Sequence, residues 1–229
     1  MHVIGMRINF FSKKAGQPML VKLALLKLIL LAVFALGAPA AYSASKSILV
    51  LGDSLSAEYG LPRGSGWVTL LEQQLQKDKI PARIVNASIS GETTSGGRGR
   101  LPSLLKRHQP DIVIIELGAN DGLRGLPLDS TEENLRSMVQ ASREANAQVL
   151  LVGMQLPPNY GGDYTRRFAA MYPKLSKEMK TALVPFLFEH MADQPDMFQP
   201  DRIHPTAAAQ PLMLQAVYPR LKPLLTDKQ

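Results

Sequence analysis

The chain has 229 residues, 45% of them hydrophobic and 20% charged, which fits one domain with a packed core and a processed segment. It has no cysteine, so disulfides, thiol nucleophiles and thiolate metal sites are excluded. The net charge of +7 does not imply a nucleic-acid partner: five basic residues and no acidic one precede residue 41, leaving 21 basic against 19 acidic residues and no basic run with interleaved aromatics.

Residues 1–40 read as a secretory leader. Lys22 and Lys27 precede an apolar run from Leu28 to Ala38, and Ala38-Pro39-Ala40 fits an A-x-A cleavage site. Met19 to Ala40 is by itself a complete signal, so Met19 is a candidate start. The run is short for a membrane span. The expected mature protein, residues 41–229, is therefore exported to the periplasm or beyond, with no stable anchor, and a monomer is expected.

Along the mature chain, short apolar runs alternate with amphipathic stretches. Ile48–Leu51, Arg83–Asn86, Ile112–Leu117, Val149–Val152 and Val184–Phe188 are predicted strands, without the strict alternation of a half-exposed sheet. Trp67–Lys77, Gly99–Gln109, Glu132–Asn146 and Tyr164–Lys180 are predicted helices. A last helix is predicted from Thr206 to about Leu225, kinked by Pro211 and Pro219. The βαβα order implies an α/β fold with a mostly parallel sheet and helices on both faces. Ligands of such sheets bind outside the carboxyl ends of the strands. The residues to inspect are then Gly52 to Ser54, Ala87 to Glu92, Gly118 to Asp121, Gly153 to Tyr160, and Glu189 onward.

Ser54 follows the first predicted strand in Gly52-Asp53-Ser54-Leu55-Ser56, where a glycine permits a sharp exit. No phosphate-binding glycine pattern accompanies it, so a nucleotide loop is disfavoured. A serine nucleophile needs a base, usually histidine. Of the four histidines, His2 lies in the leader and His108 falls at the wrong sheet edge; His190 and His204 remain. His204 sits three residues after Asp201, a spacing that lets a carboxylate meet Nδ1–H and leaves Nε2 free as base. Ser88 and Ser90 are rival nucleophiles. Gly91 and Asn120, after the second and third strands, are candidate oxyanion donors, one by its backbone and one by its amide. Each of these residues alone reads equally well as a turn residue; their joint placement at one sheet edge is the signal.

Gly52-Asp53-Ser54-Leu55-Ser56, Ser90-Gly91-Glu92-Thr93, Gly118-Ala119-Asn120-Asp121 and Asp201 with His204 resemble, in order, the four blocks of the GDSL or SGNH hydrolases. The serine, glycine, asparagine and histidine of that family fall on Ser54, Gly91, Asn120 and His204. Leu117–Gly125 and Leu156–Gly161 are similar to its bacterial thioesterase I, lysophospholipase and arylesterase branch. The resemblance spans about Ile48 to Leu225. It implies a three-layer α/β/α, flavodoxin-like fold with a five-stranded parallel sheet. It also implies an oxyanion hole of Ser54 N–H, Gly91 N–H and Asn120 Nδ2, with neither metal nor cofactor. Glu58, Ala119 and Arg202 stand where that branch often has glycine, and Glu92 where it often has aspartate. Glu58 and Arg202 are expected to alter the charge near the site mouth.

The expected activity is hydrolysis of carboxylic esters and thioesters, such as acyl-CoA-type thioesters, lysophospholipids and aryl esters, through a Ser54-His204-Asp201 triad. Leu123, Leu126, Leu156, Pro157, Pro158 and Tyr160 are expected to line an acyl groove. The alternatives are a carbohydrate O-acetylesterase with the same triad and a non-catalytic flavodoxin-like binding module.

Overall fold

The computed structural model describes residues 45–226. The proposed leader and Met19 lie outside the described residues. Five parallel strands form one sheet: β1 (Lys46–Gly52), β2 (Ala82–Asn86), β3 (Ile112–Glu116), β4 (Gln148–Val152) and β5 (Ala182–Val184), in the order β2-β1-β3-β4-β5. The long helices are α1 (Trp67–Lys77), α2 (Thr94–His108), α4 (Leu128–Glu144), α5 (Gly162–Met179) and α6 (Gln210–Thr226); α3 is one short helix, Ala119–Leu123. Helices α1 and α6 pack together, as do α2, α4 and α5, which gives the three-layer α/β/α arrangement. Every residue of β3 is buried, as are Ile48 to Gly52 of β1, which explains their near-continuous apolar sequences.

The strand order reverses between β1 and β3. The chain moves from β1 to β2 on one side, then crosses to β3 on the other, and opens a crevice at their carboxyl ends. Ser54 and Asn120 lie on the two sides of that crevice.

Several element boundaries differ from those predicted, and four of the differences have a visible cause. Helix α2 starts at Thr94 rather than Gly99. Thr93 Oγ1 accepts from Gly96 N–H at 3.3 Å, and buried Asp121 accepts from Thr94 N–H at 2.9 Å and Thr94 Oγ–H at 2.6 Å. The glycines of this first turn are helical because their cap is built, and Gly97 lets the helix seat against Leu117 without a Cβ collision. The segment from Gly118, whose residues taken singly read equally well as turn residues, is α3, entered through Gly118 at φ +117°, where a Cβ would strike the Tyr172 hydroxyl. Strand β5 ends at Val184, because Pro185 has no N–H for the ladder. Phe186 and Phe188, predicted within that strand, leave the sheet. In α6, Pro211 occupies the first turn, where no intrahelical N–H is needed, and a 3₁₀ turn, Ala207–Ala209, precedes it.

Candidate active site

The loop after β1 turns at once. Asp53 C=O accepts from Ser56 N–H at 3.3 Å and Ala57 N–H at 3.0 Å, and this holds Ser54 at the head of the turn. Opposite it, residues Phe198 and Pro205 form an isolated antiparallel bridge. Within that hairpin, Gln199 N–H donates to His204 C=O at 2.7 Å and Arg202 N–H to Gln199 C=O at 2.8 Å. Its tip carries Asp201, Arg202 and His204.

These two segments bring three of the expected residues into one chain of hydrogen bonds. Ser54 Oγ lies 3.0 Å from His204 Nε2, and His204 Nδ1 lies 2.7 Å from Asp201 Oδ2. Asp201 Oδ1 also accepts from Ile203 N–H at 2.9 Å and His204 N–H at 3.0 Å. Partial burial raises the Asp201 pKa, but the His204 and Ile203 donors and the imidazole outweigh it and hold the carboxyl down at about 2. An ionised carboxylate can only accept, so Nδ1 carries the proton and Nε2 accepts from Ser54 Oγ–H.

Two residues that sequence reading did not single out fix this geometry. The Tyr59 ring packs on the His204 ring, with centroids 4.4 Å apart. Gln199 Nε2 donates to Tyr59 C=O and Pro205 C=O, both at 3.0 Å, and so ties the serine loop to the histidine hairpin. A glutamine in a loop has no sequence signature for such a role.

Two of the three departures from glycine, Glu58 and Arg202, share a backbone setting. Glu58 and Arg202 have φ of +58° and +57°, the left-handed region that favours glycine. The Glu58 carboxylate offsets the strain by accepting from Gly64 N–H at 2.9 Å, Gly66 N–H at 2.8 Å and Thr69 Oγ–H at 3.2 Å. Its charge is therefore spent on its own loop. Arg202 does face the cleft.

The candidate oxyanion donors sit on neighbouring loops. Gly91, at φ +78°, is held when Arg124 Nη2 donates to its carbonyl at 3.0 Å. Among the described residues, neither Ser54 N–H nor Gly91 N–H is donated to another group. Asn120 Nδ2 donates to Asp53 Oδ2 at 2.9 Å and to Glu92 C=O at 3.0 Å, so its amide is fixed facing the crevice between β1 and β3.

Beneath the serine lie two buried acids. Asp53 Oδ1 accepts from Leu55 N–H at 3.0 Å. Glu116 Oε2 accepts from Asp53 N–H at 3.3 Å and meets Ser56 Oγ at 2.7 Å, while its Oε1 is buried with no partner. Burial raises the Asp53 pKa to about 6, with the Leu55 donor, His204 and Asn120 opposing. Burial, then the Asp53 charge, pushes Glu116 well above the carboxylate range. Glu116 therefore holds the proton and Asp53 the charge. Folding then requires proton uptake by Glu116 above its unfolded pKa near 4.5, and stability falls as pH rises from there towards the folded value. Glu116→Gln is expected to remove that slope, at most about 1.4 kcal/mol per pH unit for one proton. Thermal melts of both proteins from acid to mildly alkaline pH check this: the variant should gain on the wild type as pH rises, and parallel curves would contradict a neutral Glu116.

A cleft of about 650 Å³ opens beside Ser54 and His204. Leu123, Leu156, Pro157 and Pro158 line it. Leu126 and Tyr160 do not; both are exposed, because Leu126 follows the end of α3 and Tyr160 closes a 3₁₀ turn that faces solvent. The other wall holds Phe186, Phe188 and Phe198, with Phe188 and Phe198 edge to face at 5.5 Å. His190 does not border the cleft, Ser88 Oγ is buried without a hydrogen-bond partner among the described residues, and the His204 ring bonds Ser54 and Asp201 rather than Ser88 or Ser90. His108 ends α2, at the opposite edge of the sheet. Among the described residues, no group of three or more His, Asp and Glu side chains is placed to hold a metal ion.

Residues 50–211 match the model of the GDSL-like Lipase/Acylhydrolase family. The chain is 50% identical over 183 residues to Esterase TesA of Pseudomonas aeruginosa, covering 80% of this chain and 91% of that one. It is 45% identical to the Thioesterase 1/protease 1/lysophospholipase L1 of Escherichia coli, over 80% of this chain and 86% of that one. Among solved structures, TesA superposes with a TM-score of 0.77, at 50% identity, over 78% of this chain and 99% of that one. The psychrotrophic esterase EstA from Pseudoalteromonas gives 0.76, at 40% identity, over 80% of this chain and 100% of that one. On this breadth of match in sequence and fold, the chain belongs to the GDSL-like lipase/acylhydrolase family and is an ester hydrolase.

Proposed function

We propose that Ser54 is the nucleophile of a two-step acyl transfer to water, with His204 as general base and acid and Asp201 as its orienting carboxylate. His204 Nε2 takes the Ser54 proton as Oγ attacks the acyl carbonyl. Ser54 N–H, Gly91 N–H and Asn120 Nδ2 receive the developing oxyanion. The imidazolium, stabilised by Asp201, protonates the departing alcohol or thiol. Water then attacks the acyl-enzyme by the same route, the acid leaves and Ser54 regains its proton. The observation that carries this reading is the unbroken Ser54–His204–Asp201 chain, at 3.0 Å and 2.7 Å, opening on an apolar cleft.

The substrates are carboxylic esters and thioesters with an apolar acyl chain: acyl-CoA-type thioesters, lysophospholipids and aryl esters. The aromatic wall of the cleft supports a chain of several carbons over an acetyl group on a sugar. The names of the esterase and thioesterase relatives support the same class. A series of nitrophenyl esters of increasing acyl length tests this: kcat/KM should rise from acetyl to medium chains, and flat activity, or acetyl-xylan turnover exceeding that of medium chains, would overturn it. Residues 1–40 act as a secretory leader in this proposal, and the mature monomer works in the periplasm. Among the described residues, no helix is long and apolar enough to cross a membrane.

A further inference from the structure

The loop that carries Gly91 is a β-turn. Glu92 N–H donates to Ile89 C=O at 3.1 Å, Ser90 has a negative φ, and Gly91 has φ +78°. That combination is a type II turn, with glycine at its third position. The flanks of the turn are fixed. Ile89 N–H donates to Gly52 C=O at 3.0 Å, Glu92 C=O accepts from Asn120 Nδ2 at 3.0 Å, and Gly91 C=O accepts from Arg124 Nη2 at 3.0 Å. The central peptide, between Ser90 and Gly91, differs from its neighbours. Among the described residues, neither Ser90 C=O nor Gly91 N–H has a hydrogen-bond partner.

A peptide held at both ends and free in the middle can turn over. Rotating it by about 180° converts type II into type I and leaves the flanking bonds in place. The flip would turn Ser90 C=O to the side that Gly91 N–H now faces, and an oxyanion donor would become a repelling oxygen. Glycine adopts either turn, so the surroundings decide between them. At positive φ the preceding carbonyl lies on the side where a Cβ would stand. Arg124 is on that side: a Cβ at Gly91 would lie 3.7 Å from Arg124 Nη2. The guanidinium therefore faces the carbonyl end of the Ser90–Gly91 peptide, and Gly91 N–H, antiparallel to that carbonyl, points away from it. In the flipped turn the N–H would face the cation instead. Arg124 has no carboxylate within ion-pairing distance among the described residues, so its charge is left to act on the turn.

We propose that Arg124 is a positioning residue of the oxyanion site, holding the Ser90–Gly91 peptide with its N–H towards the acyl group on Ser54. This rests on the reading of Gly91 N–H as an oxyanion donor, and two sets of variants separate the two. Arg124→Gln should lower kcat on a short nitrophenyl ester about tenfold, the scale of one hydrogen bond to a charged donor, with KM near the wild-type value. Arg124→Lys keeps the cation and should recover most of that loss. Arg124 is exposed at the end of α3, so the melting temperature of both variants should stay at that of the wild type. Gly91→Ala disfavours positive φ, tips the turn towards type I and should lower kcat by about two powers of ten. Its Cβ would meet nothing nearer than Arg124 Nη2 at 3.7 Å, so this chain should fold. In the Gly91→Ala background, Arg124→Gln should cost less than about twofold, because the N–H that Arg124 positions is already turned away. Losses that multiply in the double variant would overturn the proposal. So would equal losses for Arg124→Gln and Arg124→Lys, or a rise in KM with kcat unchanged. Wild-type kcat in Arg124→Gln with Gly91→Ala impaired would overturn it and leave the donor reading standing. Near-normal kcat in Gly91→Ala would remove both.

Discussion

Replacing Ser54 with alanine is expected to lower kcat on a short nitrophenyl ester by about four to six powers of ten. The reason is specific to the geometry. Ser54 Oγ is the atom facing His204 Nε2, at 3.0 Å, and His204 makes its other ring hydrogen bond to Asp201. Removing the oxygen leaves the base and the oxyanion donors without a nucleophile to activate, so the residual rate is that of water placed in the same site. The side chain is small and half-buried, and its loss opens no core cavity, so the melting temperature should stay close to wild type. A fluorophosphonate probe supplies a second readout. It should label the wild type on the peptide bearing Ser54 and leave Ser54→Ala unlabelled. Labelling on Ser88 or Ser90, or near-normal hydrolysis by the alanine variant, would overturn the assignment.

The sequence carried the frame of this site better than its lining. Ser54, Gly91 and Asn120 were legible because a parallel sheet puts every post-strand segment at one edge; Ser54 and Asn120 follow long apolar runs, and Gly91 follows the shorter one of β2. Asp201 and His204 were legible through their spacing, and the structure makes them neighbours by a left-handed Arg202 at a hairpin tip. The cleft wall was not legible. Phe186 and Phe188 read as strand by composition, and only the missing N–H of Pro185 turns them out of the sheet. The helical glycines at the start of α2 read as loop because the local Thr93 cap is reinforced by a tertiary one: Asp121 arrives from 27 residues away. The Asp53–Glu116 pair, 63 residues apart, was equally hidden, since an acid in an apolar strand declares its burial but not its partner.

That buried pair bears on the second large effect. Asn120→Ala is expected to lower kcat by about two to three powers of ten, the loss of one preorganised oxyanion donor, with KM near the wild-type value. The donor acts on charge that is present only in the transition state, so ground-state binding should hardly register its removal. Its precision comes from Asp53 and Glu92, which accept its two amide hydrogens at 2.9 Å and 3.0 Å in the free enzyme. An oxyanion must then compete for a hydrogen already committed, and it does so because it carries a full charge where Glu92 offers a neutral carbonyl. Asp53 holds the amide through its other hydrogen while this happens. The alanine variant also strips Asp53 Oδ2 of its donor, and Asn120 is one of the groups that opposes the upward shift of Asp53. The variant should therefore show an apparent Asp53 pKa above about 6, with the carboxylate protonated over more of the acid range. Steady-state kinetics across pH separate the parts: a fall in kcat at every pH reports the lost donor. A rise in KM matching that fall would make Asn120 a ground-state binding residue instead.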